Sequence, residues 1–344
     1  MNSSFLIIAG LGLFVLSAAF VRIFCGYAIK RGLLAIPNAR SSHQEVTPQG
    51  GGIVFVSLWF LCLLLGYAFG WYSLQELLLF LPSTFLVSMI GFWDDHKELT
   101  ARKRLVVQIL AAIFCVLILG DVSSLHLSNY SVLTLGWAGL IVAVLGLVWS
   151  TNLFNFMDGL DGLASIEALF VFGIGGFLFW NAAAPEVALL LWTMVLAVAG
   201  FLVWNWPRAR VFMGDVGSYC LGFLVALFSL VGDRWYNIPM TMWIILYSVF
   251  WFDATVTLIR RFKQGQNLAM AHREHAHQRL HRAGYSHAQV LFGVIVLNCI
   301  LSGIALWALN TDSFKWGFAI TMLILSAVYW KIEKLKPMNS AVCS

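Results

Sequence analysis

The stretch Asn152-Leu-Phe-Asn-Phe-Met-Asp-Gly-Leu-Asp-Gly-Leu-Ala-Ser165 interrupts a largely apolar sequence with regularly spaced polar residues. Asn152, Asn155, Asp158 and Asp161 recur at every third position. That spacing would align them along one side of a 3₁₀-like turn, whereas on an α-helix they would drift around the axis. Carboxylate and amide oxygens suit a hard cation, and amides also hydrogen-bond nucleotides. The spacing therefore predicts a short binding loop between two helices, with an ordinary capped loop as the alternative.

The composition places this stretch in a membrane protein. Hydrophobic residues make up 60% of the 344 residues and charged residues 11%, and the mean hydropathy is +0.85. A soluble fold does not bury that much apolar surface. The six cysteines are scattered without any metal-ligand spacing, so we expect them to be small core residues rather than disulfides or a metal site.

Eleven apolar runs are each long enough to cross a bilayer, which takes about 17–25 residues. The predicted fold is therefore all-α: a single membrane-embedded domain over residues 1–344, a polytopic integral membrane protein with about eleven transmembrane helices. The predicted spans are 4–25, 51–70, 74–93, 104–121, 133–150, 163–181, 187–206, 215–233, 239–259, 289–309 and 314–332.

The basic residues predict the orientation of these spans. No positive charge precedes the first span and Lys30-Arg31 follow it, as in an uncleaved anchor whose N-terminus lies outside. With a periplasmic N-terminus, only Arg234 and Lys315 of the 21 Lys and Arg fall on the outer side, in agreement with the positive-inside rule. The polar clusters then also lie on the cytoplasmic face, which predicts one active site there.

Two further acidic motifs lie at predicted helix ends on that face. Asp94 and Asp95 directly follow an apolar helix, and adjacent carboxylates repel each other unless a cation or a hydrogen-bond donor compensates them. Asp215 lies between Gly214 and Gly217 at the start of a span, where glycine lets a ligand approach the backbone. Each motif has a structural alternative, which is a solvated helix end for the pair and an N-cap for Asp215.

Basic segments on the same face supply groups for anions. The loop 260–288 holds six Lys and Arg, several histidines and a single acid, Glu274. So many cations would repel a metal ion, so the loop suits phosphate oxygens, with contact to lipid headgroups as the alternative. Arg40 and His43 precede the run Gly50-Gly51-Gly52, and glycine-rich backbone can cradle phosphate.

Asp253 is the acid that lies deepest in a predicted span. An acid within a span is a functional candidate by default, and pairing with Arg260 or Arg261 is the structural alternative. Oxygen ligands and basic groups that share one membrane face together predict Mg²⁺-dependent transfer of a phosphate-bearing group from a nucleotide to a membrane lipid.

At these residues the chain resembles the polyprenyl-phosphate N-acetylhexosamine-1-phosphate transferases, glycosyl transferase family 4. The resemblance extends from residue 37 to about residue 282, and Asn-x-x-Asn-x-x-Asp-Gly followed by Gly-Asp-x-Gly-Ser is highly specific as a pair. The matching motifs are Pro37-Asn-Ala-Arg-Ser-Ser-His43 with Thr47-Pro-Gln-Gly-Gly-Gly52, Asp94-Asp95, Asn152 to Ala164, and Phe212-Met-Gly-Asp-Val-Gly-Ser218.

The resemblance implies an activity in the bacterial cytoplasmic (inner) membrane. Undecaprenyl phosphate would attack the β-phosphorus of a UDP-N-acetylhexosamine, and UMP would leave. The lipid-linked diphosphosugar would start O-antigen or similar cell-envelope polysaccharide synthesis. Mg²⁺, or Mn²⁺ in its place, would clamp the diphosphate. No nucleic acid is implied as a partner, and the family is compatible with a homodimer.

The resemblance also implies roles for individual residues. Asn155 and Asp215 would bind the metal. Asp94, with Asp95 beside it, would orient the lipid phosphate first and accept a proton second, because a phosphate monoester with a second pKa of about 6 is already mostly dianionic. The residues expected to bind substrate are Arg40, His43, Gly51, Gly52, Asn152, Asp158, Asp161, Arg273, His275 and His277.

The last predicted cytoplasmic loop departs from the family pattern. Many members carry His-x-His-His, whereas this chain has His275-Ala-His277-Gln278. Together with Ala271-His-Arg-Glu-His275, the loop resembles the O-antigen-initiating branch, which handles GlcNAc, FucNAc or QuiNAc derivatives. The phospho-MurNAc-pentapeptide transferase of peptidoglycan is the alternative within the family. A transporter of phosphorylated sugar or lipid is the alternative of another class, and transporters place their sites near the midplane of the membrane.

Overall fold

The computed structural model describes residues 3–37, 45–97, 99–267 and 272–338. Arg40 and His43, predicted to bind substrate, lie outside these described residues. The described helices are α1 (Ser3–Arg31), α2 (Gly52–Ala68), α3 (Leu74–His96), α4 (Ala101–Leu119), α5 (Ala138–Met157), α6 (Leu163–Asn181), α7 (Pro185–Asn205), α8 (Asp215–Tyr236), α9 (Met240–Leu246), α10 (Ser248–Lys263), α11 (Ala276–Arg282), α12 (His287–Thr311) and α13 (Phe314–Leu335).

Two small antiparallel hairpins complete the described structure. They pair β1 (Leu34–Ala35) with β2 (Thr47–Pro48), and β3 (Ser124–His126) with β4 (Val132–Thr134). Because the strands are only two or three residues long, the all-α prediction is confirmed.

Every predicted span overlaps a helix or, for the ninth, a bent pair of helices. Among the described residues, seven helices are long and apolar enough to cross a membrane, and the pair α9 and α10 gives an eighth. Of the rest, α2 has only 17 residues, α4 carries charged residues near its start, and α13 carries them near both ends. The protein is therefore a multi-pass membrane protein, while the count of eleven spans and their orientation stay predictions.

Helix α8 forms the centre of the helix assembly. It packs against α2, α3 and α5, and 89% of its apolar segment is buried, compared with 11% for α1. The outer helices expose large apolar side chains such as Ile7 and Ile8 of α1. Lipid tails are as apolar as these side chains, so their exposure suits a bilayer.

Helices α2 and α3 approach the beginning of α8 at backbone distance because glycines line the contact. A Cβ on Gly52 would lie 2.6 Å from the Cα of Gly217, and a Cβ on Gly91 would lie 2.4 Å from the carbonyl oxygen of Asp215. Both distances are too short for any side chain. The absence of side chains thus lets three helices meet around Asp215.

The predicted ninth span, 239–259, is broken. Helices α9 and α10 meet at Tyr247 with an angle of 76°. The break frees carbonyl groups at the end of α9, and side chains that follow the break donate to them. Ser248 Oγ donates to the Ile245 carbonyl at 2.7 Å, and Trp251 Nε1 donates to the Ile244 carbonyl at 2.8 Å. Backbone groups inside a membrane need such partners, so these two side chains stabilise the bend.

The predicted binding loop at 152–162 is only partly a loop, and the expectation of a 3₁₀-like turn along it was wrong. Helix α5 continues to Met157, which puts Asn152 and Asn155 on its last two turns and leaves 158–162 as the turn. Of the apolar residues between the polar ones, Leu153, Phe154 and Met157 are buried and keep the helix packed. The two asparagines therefore face two different neighbouring helices.

Candidate active site

A polar cavity of about 360 Å³ lies where α5 ends and where α6 and α8 begin. We call this end of the helix assembly the site end. The carboxylates of Asp158, Asp161 and Asp215 line the cavity together with Asn155, and no Lys or Arg belongs to its described lining. Carboxylates that share a site repel one another unless a cation or donors compensate them, so the cavity suits a cation.

Asn155 and Asp215 are in direct contact with each other in the wall of the cavity. The Asn155 amide donates to Oδ1 of Asp215 at 2.7 Å and to Oγ of Ser218 at 3.0 Å. Asn155 comes from the last turn of α5, whereas Asp215 is the first residue of α8. The fold therefore brings together the two residues predicted to bind a metal.

The donor groups of this pair fit Mg²⁺ when a diphosphate completes the coordination. Asp215 offers a carboxylate, and rotation of the Asn155 amide would exchange its nitrogen for its oxygen. Within the part of the chain that the structure describes, no group of three or more His, Cys, Asp or Glu could hold a metal ion. Mg²⁺ commonly takes one or two protein ligands and fills its shell with phosphate oxygens and water, which matches a site of this size.

Asp94 is held by an arginine and a tyrosine. Its Oδ2 accepts from the Arg104 guanidinium at 2.6 Å and from the Tyr219 hydroxyl at 3.2 Å, and its Oδ1 accepts from the Leu99 amide at 2.8 Å. Arg104 lies in the first turn of α4 and Tyr219 in the second turn of α8. Asp94 is thus oriented by α4 and α8, close to the start of α8.

Asp95 faces the backbone of α8. Its two carboxylate oxygens accept from the amides of Asp215 at 2.8 Å and Val216 at 3.1 Å, and Gln49 donates to it at 3.0 Å. Gly214, the residue before α8, has no side chain that could cap the helix. Asp95 therefore caps α8 from the neighbouring helix, where its charge is favoured by the helix dipole.

Asp158 follows α5 and lies at the cavity wall. Burial raises the pKa of its carboxyl to about 7, and the nearby charges of Asp95 and Asp161 add to the shift. The carboxyl is therefore close to half protonated at neutral pH. A cation in the cavity would favour its charged form.

Asp161 lines the cavity but is engaged by the fold. Its Oδ2 accepts from the amides of Arg208 at 3.1 Å and Ala209 at 3.2 Å, and Nδ1 of His287 lies 3.0 Å away. Burial favours the neutral carboxyl, but the contact with His287 and the two amides outweigh it and lower the pKa of Asp161. Asp161 thus joins the turn before α6 to the segment before α8 and shapes the cavity.

Three residues predicted to bind substrate have their polar groups engaged within the fold instead. The amides of Gly51 and Gly52 donate to the carbonyls of Phe212 and Met213. The Asn152 amide donates to Gln108 of α4 at 2.7 Å. These donors join neighbouring segments of the fold, and the assignment of the three residues to the substrate stays a prediction.

The predicted phosphate-binding loop places His277 beside the turn after α5 and Gln278 in the lining of the cavity. His275 and His277 are buried, with 2% and 4% exposure, and the next residue, Gln278, lines the cavity. Nε2 of His277 lies 2.9 Å from the position of a Cβ on Gly159. Arg273 lies ahead of this pair, and its carbonyl accepts from Arg282 at 3.4 Å.

The sequence analysis missed several residues of the site. Gln49 had a usable signal, since it lies inside the glycine-rich motif that was singled out, and His287 had another, since it lies in the histidine-rich loop. Arg104 had one as well, since it belongs to the basic cluster that follows Asp94 and Asp95. Tyr219 had none, because its contact with Asp94 depends on the packing of α3 against α8.

Comparison with known proteins supports the same family. The model of glycosyl transferase family 4 matches residues 77–233. A "probable undecaprenyl-phosphate N-acetylglucosaminyl 1-phosphate transferase" of Bacillus subtilis (strain 168) is 29% identical over 309 residues, which cover 87% of this chain and 83% of that protein. An "undecaprenyl-phosphate alpha-N-acetylglucosaminyl 1-phosphate transferase" of Salmonella typhi is 27% identical over an alignment of 351 positions, gaps included, which covers 94% of this chain and 92% of that protein.

A "phospho-N-acetylmuramoyl-pentapeptide-transferase" of Synechococcus sp. (strain JA-2-3B'a(2-13)) is 32% identical over 302 residues, which cover 81% of this chain and 84% of that protein. The family match includes Asp94, Asn155 and Asp215, the residues that the fold gathers at the start of α8. The chain belongs to glycosyl transferase family 4, the family of the polyprenyl-phosphate hexosamine-1-phosphate transferases.

Proposed function

We propose that the protein transfers an N-acetylhexosamine 1-phosphate from a UDP-sugar to undecaprenyl phosphate. The observation on which the proposal depends is the direct contact of Asn155 with Asp215 in a polar, acid-lined cavity at the end of apolar helices. A polar cavity at the end of membrane helices is accessible both to a water-soluble donor and to a lipid acceptor. The relatives named as undecaprenyl-phosphate N-acetylglucosaminyl 1-phosphate transferases support both the acceptor and the sugar class.

In the proposed reaction, an oxygen of the lipid phosphate attacks the β-phosphorus of the UDP-sugar. The bond from that phosphorus to the oxygen of UMP breaks, and UMP leaves with the electron pair. The product is a lipid-linked diphosphosugar. Two anions must approach each other, so positioning and charge compensation dominate over proton transfer.

Asn155 and Asp215 would hold Mg²⁺, or Mn²⁺, on the donor side of the cavity. The cation, when bound, neutralises charge on the diphosphate and on departing UMP. Asp158 would complete this acidic wall, because its burial makes its charged form dependent on a neighbouring positive group. Arg273, His275 and His277 would lie on the sugar and phosphate side, and Arg40 and His43 stay predictions for the same side.

On the acceptor side, Asp94 would act through its partners. Its carboxylate fixes the Arg104 guanidinium, and a guanidinium is suited to phosphate oxygens. We therefore assign Asp94 as the group that positions Arg104 near the lipid phosphate. Asp95 would keep the start of α8, and hence Asp215, in place.

We further propose that the protein lies in the bacterial inner membrane with the site end toward the cytoplasm, where UDP-sugars are made. Its product would start the synthesis of O-antigen or a similar polysaccharide. The Synechococcus relative supports a second candidate, transfer of phospho-MurNAc-pentapeptide. The two candidates differ only in the sugar that the cavity accepts.

The test is UMP release by purified protein supplied with undecaprenyl phosphate, Mg²⁺ and either UDP-GlcNAc, UDP-FucNAc, UDP-QuiNAc or UDP-MurNAc-pentapeptide. We expect turnover with an N-acetylhexosamine donor, loss of turnover in EDTA, and recovery when Mg²⁺ or Mn²⁺ is restored. Preferential use of UDP-MurNAc-pentapeptide would establish the second candidate. Absence of UMP release with every donor, from folded protein, would reject both.

A further inference from the structure

A groove between the end of α3 and the beginning of α4 forms a second concave surface at the site end. Its volume is about 850 Å³. The lining combines apolar with basic residues, among them Ile90, Trp93, Val106, Lys97, Arg102 and Lys103. The described linings of this groove and of the acid-lined cavity share no residue, so the groove is separate from the candidate active site.

The two faces of α4 explain why the groove is basic. Gln108 and Cys115 are buried on the inner face of the helix. Arg104 lies on that face, one turn before Gln108, and pairs with Asp94. Arg102 and Lys103 are exposed, because residues next to one another in a helix point in different directions around its axis. The basic run 102–104 thus sends one cation into the protein and two into the groove.

The cations of the groove have no acidic partner in the described part of the chain. No described carboxylate forms an ion pair with Lys97, Arg102 or Lys103. Glu98, an acid of the connection between the two helices, lies outside the described residues. Lysine and arginine at a membrane surface attract anionic lipids. These three side chains are therefore available to an anionic ligand.

The apolar half of the groove lies deeper along the two helices. Trp93 comes one turn before Lys97 in α3, and Val106 comes one turn after Arg102 in α4. Trp93 is 56% exposed and Val106 is 51% exposed. An exposed tryptophan beside lysines at the end of a membrane helix is typical of the level where acyl chains meet headgroups. The groove therefore matches a molecule with an anionic head and apolar chains.

We propose that this groove binds an anionic phospholipid, with its phosphate at Lys97, Arg102 and Lys103 and its acyl chains along Trp93 and Val106. Arginine and lysine form charge-assisted hydrogen bonds with phosphate oxygens. A zwitterionic phospholipid adds an amine that the three cations repel. The bound lipid is not consumed, so this inference goes beyond the proposed transfer reaction.

Undecaprenyl phosphate is the other anionic lipid to consider for the groove. The basic residue assigned above to the acceptor phosphate is Arg104, and its guanidinium donates to Asp94 at 2.6 Å and to Tyr219 at 3.3 Å. Both contacts lie on the inner face of α4, away from Arg102 and Lys103. The structure therefore favours a phospholipid in the groove and the acceptor on the other side of α4.

The test measures binding of phosphatidylglycerol to the full chain in detergent by native mass spectrometry, with phosphatidylcholine as the zwitterionic probe. The pair Arg102→Gln with Lys103→Gln removes two cations from the groove. The matched control, Lys30→Gln with Arg31→Gln, removes two exposed cations from the last turn of α1, outside the groove. We expect the groove pair to weaken phosphatidylglycerol binding about 25-fold, or about fivefold for each cation. The control pair should bind it like wild type.

A second comparison tests the apolar wall without any change of charge. Val106→Trp fills the groove, whereas Leu117→Trp adds the same side chain at an exposed position near the other end of α4. We expect Val106→Trp to weaken phosphatidylglycerol binding about tenfold, because the acyl chains lose their contact with the wall. Leu117→Trp should bind the lipid like wild type, and an equal loss in both variants would contradict the proposed position of the chains.

Three outcomes would overturn the proposal. The first is equal binding of phosphatidylglycerol and phosphatidylcholine by wild-type protein, and the second is an equal loss in the groove pair and the control pair. The third is a rise in the KM for undecaprenyl phosphate in the groove pair as large as its loss of phosphatidylglycerol binding, which would assign the groove to the acceptor. Wild-type protein that binds phosphatidylglycerol but releases no UMP would contradict the proposed function alone.

Discussion

Two buried aspartates at opposite ends of the helix assembly make the same contacts. Asp233, near the end of α8, accepts from the backbone amide of His126 at 2.7 Å and lies 3.4 Å from Nδ1 of its ring. Asp253 accepts from the amide of Ala276 and faces the ring of His277 at 3.4 Å. In both cases a membrane helix fixes a connecting segment by one carboxylate, one amide and an imidazole.

The two pairs differ in what lies beyond the imidazole. His126 belongs to β3, and Leu125 beside it lines an apolar cavity of about 510 Å³. His277 packs against Gly159, which lines the acid-lined cavity. Both aspartate–histidine contacts are therefore structural connections, and only the one at Asp253 lies next to the turn that lines the acid-lined cavity. The following predictions test this distinction between the two ends.

Asp215→Asn should have the largest effect, because it removes charge from the wall of the cavity while keeping the shape of the side chain. We expect UMP release to fall by about 10³-fold, and the remaining activity to need more Mg²⁺. The measurement is a Mg²⁺ titration of the rate for the variant and for wild-type protein. If the variant had the same rate and the same Mg²⁺ dependence as wild-type protein, Asp215 would not be a metal ligand.

Asp94→Asn should lower the rate by about 10²-fold, the size of a misplaced reacting group. The amide would no longer fix the Arg104 guanidinium by charge, so the effect should appear in the kinetics of the lipid acceptor. Rates measured over a range of undecaprenyl phosphate and of UDP-GlcNAc separate the two substrates. If only the kinetics with UDP-GlcNAc changed, Asp94 would be assigned to the donor side of the site instead.

Asp158 should make the site end sensitive to pH. Its pKa of about 7 exceeds that of an unfolded aspartate, about 3.9, so the folded state loses stability as the pH rises from about 4 through 7. Asp158→Asn removes this penalty. We expect its Tm in EDTA to exceed that of wild type by about 2–4 °C at pH 8 and to match it at pH 4. A constant difference at all pH values would exclude titration of Asp158.

Asp233→Asn should have the smallest effect. The amide oxygen can still accept from His126, so we expect the Tm to fall by about 2–4 °C, as for a loss of about 1 kcal/mol. UMP release should be unchanged once the protein is folded. Loss of activity at a temperature where the variant is folded would show that the two ends of the protein are coupled.

The sequence predicted the membrane helices well, because long apolar runs are a strong local signal. It also predicted the meeting of Asn155 with Asp215, through motifs whose spacing is specific. It missed the break at Tyr247, since neither proline nor glycine marks it and side-chain donors compensate the freed carbonyls. The helix through Asn152 and Asn155 was not predicted, because the period of three was given more weight than the apolar residues between them.

Other contacts were not predicted because they join residues that are distant in sequence. Asp95 was grouped with Asp94 as a catalytic pair, and that role stays a prediction; its capping of α8 was not foreseen, because the contact joins residues 120 positions apart. For Asp253, pairing with the nearby Arg260 or Arg261 was the structural alternative, yet its carboxylate accepts from the amide of Ala276 in α11. Charge and spacing alone do not show which of several candidates an acid will reach, because tertiary packing decides it.

The glycines around Asp215 limit where the substrate range of this protein can be changed by design. Gly52, Gly91 and Gly217 leave no room for even one added carbon, so alanine, the usual probe of a side chain's role, would itself disturb the start of α8. The wall formed by the start of α8 around Asp215 is therefore a fixed half of the cavity. The turn at 158–162 and the start of α11 form the other half, and a library that seeks a new sugar donor belongs there.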